Sequence, residues 1–199
     1  MISHEKVAVS LQSGKSIYVH AWPGGNYAQP MVIISPESIP ADWDVFASLI
    51  SPSHSAILAD VSTSLELLML IWEIGEPSLI IAQGDKAVKI TRGLVSIAPG
   101  SANAIVLCDG VIPDKELPIT YEINTLILRG RQSTSLSHAD AVDMHMSIRL
   151  STLVEPENCG DFPAKHNAAA AASAVNWFIN GVNEIYENTS NNVVIDARA

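Results

Sequence analysis

The sequence predicts an α/β protein, a three-layer αβα sandwich on a mostly parallel, twisted sheet of about eight strands. Short apolar runs recur along the chain, as is typical of strands that are buried on both faces of a parallel sheet. Segments with helical periodicity separate these runs. Alternating residues on both sides of Gly14 predict an antiparallel hairpin at the start of the sheet. We expect one domain over residues 1–187 and a C-terminal tail over residues 188–199.

The strand predictions follow the apolar runs in chain order. The hairpin strands are Val7–Leu11 and Ile17–Trp22, on either side of a glycine-containing turn. The buried runs are Met31–Ile34, Ser55–Ala59, Ser78–Ile81, Ala104–Cys108, Thr125–Leu128 and Ser151–Val154. Because crossovers between parallel strands are right-handed, the intervening helices should cover both faces of the sheet.

Helices are predicted where apolar residues recur at three- and four-residue steps. These segments are Asp42–Leu49, Ser64–Ile74, Lys86–Ile97, Ala139–Ile148 and Lys165–Glu187. The most apolar run, Leu65–Ile74, contains Glu66 and Glu73 and is too short to span a bilayer. It is therefore interpreted as a core helix.

Composition excludes several classes of function. With 11 basic and 21 acidic residues the net charge is −10, so most surfaces should repel nucleic acid and anionic lipid. Neither nucleic-acid binding nor membrane binding is expected. The two cysteines, Cys108 and Cys159, have no zinc-ligand spacing and form no disulfide scaffold, and no cofactor or metal is predicted. The N-terminus lacks an apolar signal segment, which favours a cytoplasmic location.

Several segments, taken in order, resemble the α/β hydrolase fold over roughly Val7–Ile179. Met31–Pro36 and the following Ala41–Phe46 resemble the family's strand, oxyanion loop and tryptophan-bearing helix, and Gly75–Gly84 resembles the approach to the G-x-S-x-G nucleophile elbow. The remaining matches are Ile57–Asp60 to the next strand with its terminal aspartate, Asn124–Gly130 to the strand before the acid, and Cys159–Pro163 to the histidine turn. The segment between Cys108 and Thr125 is too short for the helical cap of many relatives, so no cap domain is expected.

Each catalytic position departs from the family pattern. The resemblance puts Gly84 at the nucleophile position, Ser133 at the acid position and Asp161 at the base position. In the family mechanism a hydroxyl attacks, an imidazole takes its proton and a carboxylate orients the imidazole. Loss of such a triad costs on the order of 10⁶-fold in turnover. The resemblance therefore implies a pseudoenzyme, a protein that binds a small molecule or a partner without catalysis.

The residues expected to bind a ligand lie where strands end. Ser35, Glu37, Gln83, Asp85 and Asp161 should meet at the carboxyl edge of the sheet, where open α/β folds bind ligands. The carboxylates among them would bind a cation or a polar ligand, or are simply polar loop groups.

Asp85 gives a rival alignment in which it is the elbow nucleophile, as an aspartate is in haloalkane dehalogenases. Its other interpretation is a cap at the N-terminus of the following helix. The alternative function is thus a hydrolase, esterase-like or dehalogenase-like, with relocated catalytic groups. Its leading residues are Asp85, Asp161, Ser35 and His138.

Other interpretations stay open. A histidine, His138 or His166, would form a new dyad with Cys108, Cys159 or Ser35. The basic stripe Lys86, Lys89 and Arg92 is either an anion site or a solvated helix face. A structural role is the third hypothesis, with a homodimer interface at the cap-free mouth or the alanine-rich last helix. A flavodoxin-like sheet is the nearest competing fold, against which the leading hairpin argues.

Overall fold

The computed structural model describes residues 4–24, 30–36, 38–50, 54–74, 78–112 and 123–195. Within these residues eight strands form one sheet in the order β1-β2-β4-β3-β5-β6-β7-β8. The strands are β1 Glu5–Ser10, β2 Ser16–Trp22, β3 Met31–Ile34, β4 Ala56–Ala59, β5 Ser78–Gln83, β6 Ala102–Cys108, β7 Asn124–Leu128 and β8 Ser151–Val154. Strand β2 is antiparallel to both β1 and β4, and the other pairs are parallel. The predicted fold class is confirmed.

Helices cover both faces of this sheet. They are α1 Asp44–Ile50, α2 Ser64–Ile74, α3 Gly84–Ile97, α4 His138–Ser147, α5 Pro163–His166 and α6 Ala168–Ile195, and a short 3₁₀ turn, Pro40–Asp42, precedes α1. None of the helices in the described part of the chain has the length and hydropathy that crossing a bilayer requires.

Two apolar cores lie on opposite faces of the sheet. On one face, α2 and α3 bury Leu67 and Leu94 against Val32 and Ile80. On the other face, α1 and α6 bury side chains such as Phe46 against Ile33 and Ile81. Consecutive residues of a strand point to opposite faces, so the central strands must be apolar throughout. This explains why the buried strands were recognisable as uninterrupted apolar runs.

Several boundaries differ from the sequence prediction, and two of them concern the last helix. The predicted closing helix is interrupted at Asn167, whose backbone (φ −146°, ψ 69°) is not helical, so that α5 and α6 are separate. Helix α6 then continues to Ile195, beyond the predicted end at Glu187. The division into a domain over 1–187 and a tail over 188–199 stays a prediction.

Candidate functional site

The candidate site lies at the carboxyl edge of the parallel strands. Because parallel strands all end at the same edge, the residues that follow them come together there. Ser35 follows β3, Gly84 follows β5, Asp109 follows β6 and Arg129 follows β7. The site is therefore assembled from loops that are far apart in sequence.

The turn between β5 and α3 is made by one residue. Gln83 is still extended (φ −101°, ψ 119°), and Gly84, with φ +79°, already begins the helix. This left-handed backbone costs glycine little, whereas a side chain there is strained. A Cβ on Gly84 would meet no atom within 4 Å. The turn thus has the sharp strand-to-helix form of a nucleophile elbow, with open space where a side chain would stand.

Asp85 does not occupy the top of this turn. It lies in the first turn of α3, and the N-cap residue of that helix is Gln83. The Asp85 carboxylate accepts a hydrogen bond from the Val111 N–H, at 2.8 Å between Oδ1 and N. The expectation that Asp85 caps α3 was therefore wrong, because its side chain turns toward the loop after β6.

The predicted acid and base positions contact each other directly. Ser133 Oγ donates to Asp161 Oδ1 at 2.8 Å, so the two side chains form a hydrogen-bonded pair. Asp161 also accepts from the Ser135 N–H at 2.8 Å and from the Thr134 N–H and hydroxyl. The Ser135 N–H and these other donors hold the pKa of Asp161 well below its usual range. The lowered pKa favours the ionised form of Asp161 at neutral pH, and its hydrogen-bond donors are already in place.

Asp109 is the residue at this edge that the sequence analysis missed. It follows β6 with φ +44°, is 2% exposed, and neither of its carboxylate oxygens has a partner with hydrogen-bond geometry among the described residues. Burial raises the pKa of Asp109 to about 7, although the nearby Ser133 hydroxyl and Gly130 N–H each lower it. Ser133 has one hydroxyl proton and directs it to Asp161. Asp109 is consequently a buried carboxyl group that changes charge near neutral pH.

Arg129 holds the loop after β7 in place. Its guanidinium donates to the carbonyls of Leu136 and Ser133 and to Glu155 Oε1, at 2.6, 3.2 and 2.8 Å. Glu155 in turn contacts His138 Nδ1 at 3.0 Å. Burial raises the pKa of Glu155, but the contacts with His138 and Arg129 outweigh it and lower the pKa. His138 is thus paired with Glu155, and His166 packs beside Gly160. Neither histidine lines the cavity that lies at the elbow.

The cysteines do not form a reactive dyad. Cys108 and Cys159 are both buried free thiols. Burial raises the pKa of each thiol, and the Asp109 carboxylate raises both further. Neither cysteine, and no histidine of the described residues, is among the residues that line the cavity at the elbow. The hypothesis of a rebuilt dyad at Cys108, Cys159 or Ser35 is therefore not supported by the geometry.

Ser35 also lines the cavity and lies in the loop after β3. It is 6% exposed, and its carbonyl accepts from the Ser38 N–H and hydroxyl, both at 3.2 Å. Trp43 Nε1 donates to Ser38 Oγ at 2.8 Å, which fixes the loop to the tryptophan-bearing segment. Glu37, the other predicted residue of this loop, lies outside the described residues.

The elbow cavity has a volume of about 320 Å³. Its lining residues are Ser35, Ser38, Gln83, Gly84, Asp85, Asp109, Ser135, Asp161 and Phe162. Four of the five predicted ligand-binding residues are thus brought together: Ser35, Gln83, Asp85 and Asp161. In the part of the chain that the structure describes, no three His, Cys, Asp or Glu side chains are arranged to hold a metal ion.

The basic stripe on α3 lies in a different groove. Lys86, Lys89 and Arg92 line it together with Ser62–Ser64 at the start of α2, and its volume is about 600 Å³. Glu66 also lies at this helix start, where it accepts from the Ser62 N–H and pairs with Lys15. The stripe is therefore separate from the elbow cavity.

Comparisons with known proteins identify the fold. No protein-family model matches the chain, and no curated protein matches its sequence. Among solved structures, a membrane phospholipase A described as a bacterial virulence factor superposes with a TM-score of 0.75 at 13% identity, covering 92% of this chain and 87% of that one. A thermophilic esterase from Thermogutta terrifontis gives a TM-score of 0.75 at 11% identity, with 89% and 99% covered.

The haloalkane dehalogenase DbeA from Bradyrhizobium elkani is similar over 92% of this chain and 100% of its own, with a TM-score of 0.74 and 11% identity. At such identities the likeness concerns the fold alone. It agrees with the sheet order, the antiparallel first strands and the sharp turn at Gly84. The chain therefore has the α/β hydrolase fold.

Proposed function

We propose that this protein binds a small molecule at the elbow cavity without catalysing hydrolysis. The observation that carries the proposal is Gly84, which stands at the strand-to-helix turn with no side chain to act as a nucleophile. Nucleophilic catalysis on this fold needs a hydroxyl, thiol or carboxylate at that turn, with a base within hydrogen-bond reach.

The residues around the turn support the same proposal. Asp161, at the position of the base, already accepts hydrogen bonds from Ser133, Thr134 and Ser135, and its lowered pKa makes it a poor proton acceptor at neutral pH. Among the described residues no imidazole lines the cavity to replace it. The absence of a proton relay among the described residues that line the cavity supports the binding proposal.

The cavity itself is suited to binding. A volume of about 320 Å³ lies at the lower end of the range of small-molecule sites, roughly 300–1,000 Å³. Most of the lining residues carry a hydroxyl, amide or carboxylate group, and Phe162 adds an aromatic surface. A ligand of a few heavy atoms with several polar groups would fit these walls.

Hydrolysis by relocated groups is the second candidate, and Asp109 is the observation that favours it. A pKa of about 7 is suited to a general base that activates water. Asp85 and Asp161 are the other carboxylates that could take part, since both line the same cavity. An esterase or dehalogenase mechanism would need at least one of these three groups.

The deciding experiment measures the turnover of short p-nitrophenyl esters. We expect the wild-type rate to equal that of Asp109→Asn, Asp85→Asn and Asp161→Asn, at the level of buffer. The matched control is Asp143→Asn, because Asp143 is exposed on α4 and does not line the cavity. Turnover that the control retains and a cavity variant loses would overturn the non-catalytic proposal and favour the hydrolase.

A further inference from the structure

The elbow cavity has an unusual balance of charge. Three aspartates, Asp85, Asp109 and Asp161, are among its lining residues, and none of the lining residues in the described chain carries a cationic side chain. The basic groups nearby have other partners. Arg129 binds Glu155, and Lys165 binds Asp42 at 2.8 Å between Nζ and Oδ1. The charge of Arg129 lowers the pKa of Asp109, but the ion pair of Arg129 is with Glu155, and no cationic side chain among the described residues lines the cavity.

The carboxylates of these three aspartates differ in how many hydrogen-bond donors they have. Asp161 is surrounded by hydrogen-bond donors, and Asp85 accepts the Val111 N–H. Asp109, in contrast, is 2% exposed and has no hydrogen-bonded partner for either oxygen among the described residues. Buried polar groups in folded proteins are nearly always hydrogen-bonded, and an unpaired buried carboxylate is among the most costly exceptions. Near Asp109 the Ser133 hydroxyl and the Gly130 N–H lower its pKa without reaching hydrogen-bond geometry, so a positively charged donor would stabilise its ionised form.

A second buried acceptor lines the same cavity. The side-chain amide of Gln83 donates through Nε2 to the Asp161 carbonyl at 3.0 Å, while its Oε1 is buried with no partner among the described residues. Gln83 is the last residue of β5 and lies opposite Cys108, the last residue of β6, which Asp109 follows. Two neighbouring strand ends therefore each present an acceptor without a donor.

We propose that the elbow cavity binds a small organic ligand through an ammonium group, whose N–H donors pair with Asp109 and Gln83. The inference rests on the proposed binding function and adds the chemical class of the ligand. An ammonium group supplies both the donors and the charge that the lining lacks. A neutral alcohol supplies donors alone, and a carboxylate ligand is repelled by the ionised Asp161. Phe162 gives the methylene part of such a ligand an apolar surface.

The test compares three probes that share a four-carbon chain and differ in charge: 1,4-diaminobutane, 1,4-butanediol and succinate. Ligand-observed NMR at neutral pH measures each dissociation constant with the full-length protein. We expect the diamine to bind at least tenfold more tightly than the diol, and succinate not to bind. Ser135→Trp should abolish diamine binding, because Ser135 is an exposed residue that lines the cavity and a large side chain there fills it.

Matched variants separate the cavity from the general charge of the protein. Asp109→Asn should weaken the diamine at least tenfold and change the diol less than threefold, and asparagine tolerates the backbone φ of +44°. Gln83→Met is a second variant with the same expected direction. Ser96→Trp and Asp143→Asn are the controls, because both residues are exposed on helices and neither lines the cavity. Both controls should bind the diamine as the wild type does.

Three results would overturn the inference: no diamine binding, diamine binding that Asp109→Asn leaves unchanged, or binding of the diol or succinate as tight as that of the diamine. If the diol or succinate binds and Ser135→Trp abolishes that binding, the proposed binding function stands and only the ligand class is wrong. Ester turnover lost in Asp85→Asn or Asp161→Asn would instead overturn the proposed function, whichever probe binds.

Discussion

Replacing Asp109 with asparagine should make the protein more stable above neutral pH and leave its stability unchanged in acid. Asp109 is buried without a hydrogen-bonded partner, and burial raises its pKa from 3.8 to about 7. Asparagine has nearly the same shape but no charge at any pH. The substitution therefore removes the cost of burying a charge and little else.

The sign and size of the effect follow from the raised pKa. Between pH 3.8 and about 7 the folded protein keeps a proton on Asp109 that the unfolded chain has released. In that interval the free energy of unfolding falls by about 1.4 kcal/mol for each pH unit. The wild type thus loses about 4 kcal/mol by pH 8 relative to pH 3, and the loss is complete once the pH exceeds the folded-state pKa. Asp109→Asn should not show this loss.

Urea unfolding at intervals from pH 3 to pH 8.5 measures the difference in unfolding free energy between variant and wild type. We expect this difference to be near zero at pH 3, to grow through pH 4–7 and to level off at about 4 kcal/mol in favour of the variant. Taking the difference cancels other titrations, including Asp161, whose lowered pKa makes its contribution disappear only as the pH falls below 3.8. Asp143→Asn should give a flat profile.

The reasoning would be refuted if the difference between Asp109→Asn and wild type did not change with pH. A variant less stable than wild type at pH 8 would refute it more directly, because Asp109 would then be ionised and favourably paired in the folded protein. Either result would also remove the basis for an ammonium ligand at the elbow.

Three further substitutions test the geometry around the site. Gly84→Ser should fold with a loss of about 1–2 kcal/mol from its left-handed backbone and gain no esterase activity, measured by thermal unfolding and p-nitrophenyl acetate turnover. Gly130→Ala should cost about 3 kcal/mol or more, because its Cβ would lie 2.1 Å from the Gly160 carbonyl oxygen, and circular dichroism will report the fraction folded. Arg129→Met should cost about 3 kcal/mol in urea unfolding, because Glu155 and several carbonyls lose a buried donor.

The chain offers a matched control substitution for the arginine variant and for the glycine variants. Arg131→Met matches Arg129→Met, but its ion pair with Glu157 is exposed, so it should cost less than about 1 kcal/mol. Gly100→Ala matches the glycine substitutions, since a Cβ there meets no atom within 4 Å. The packing described above would be contradicted if the two arginine variants lost the same unfolding free energy. It would also be contradicted if Gly130→Ala were as stable as the wild type. Rapid ester turnover by Gly84→Ser would mean that a base reaches the elbow.

Most of the fold could be predicted from the sequence because the buried strands are short, uninterrupted apolar runs. The resemblance put the elbow at Gly84, but the bounds of β5 and α3, which meet there, were not predicted correctly. The sequence predicted a strand ending at Ile81 and a helix beginning at Lys86, with a polar turn between them. In the structure the strand runs to Gln83 and the helix begins at Gly84, because a single positive φ reverses the chain. No propensity of Gln83 or Asp85 indicates this.

Part of the site was predictable because the order of strands and helices determines which loops meet at one edge of the sheet. Strand ends at one edge of a parallel sheet bring Ser35, Gln83 and Asp161 together, which the order of elements alone indicates. The same rule applied to the strand Ala104–Cys108 points to Asp109, the residue that the sequence analysis left out. What the sequence could not reveal is that neither oxygen of Asp109 has a partner with hydrogen-bond geometry among the described residues, since the proton of the nearby Ser133 hydroxyl goes to Asp161.

The residues at the elbow are of two kinds: some contribute to stability, and others have buried polar atoms without a partner among the described residues. The second kind indicates where a ligand binds. Gly84 adopts the turn with little strain, and Asp161 accepts from Ser133, Thr134 and Ser135, so both contribute to stability at positions that the resemblance assigns to the nucleophile and the base. Folded proteins keep costly, unpaired polar groups mainly where function requires them. Among the residues that line this cavity, Asp109 and the Oε1 of Gln83 are such groups. A ligand donor at these two acceptors would offset the cost of burying them, which is why we place binding there and not at the vacant nucleophile position.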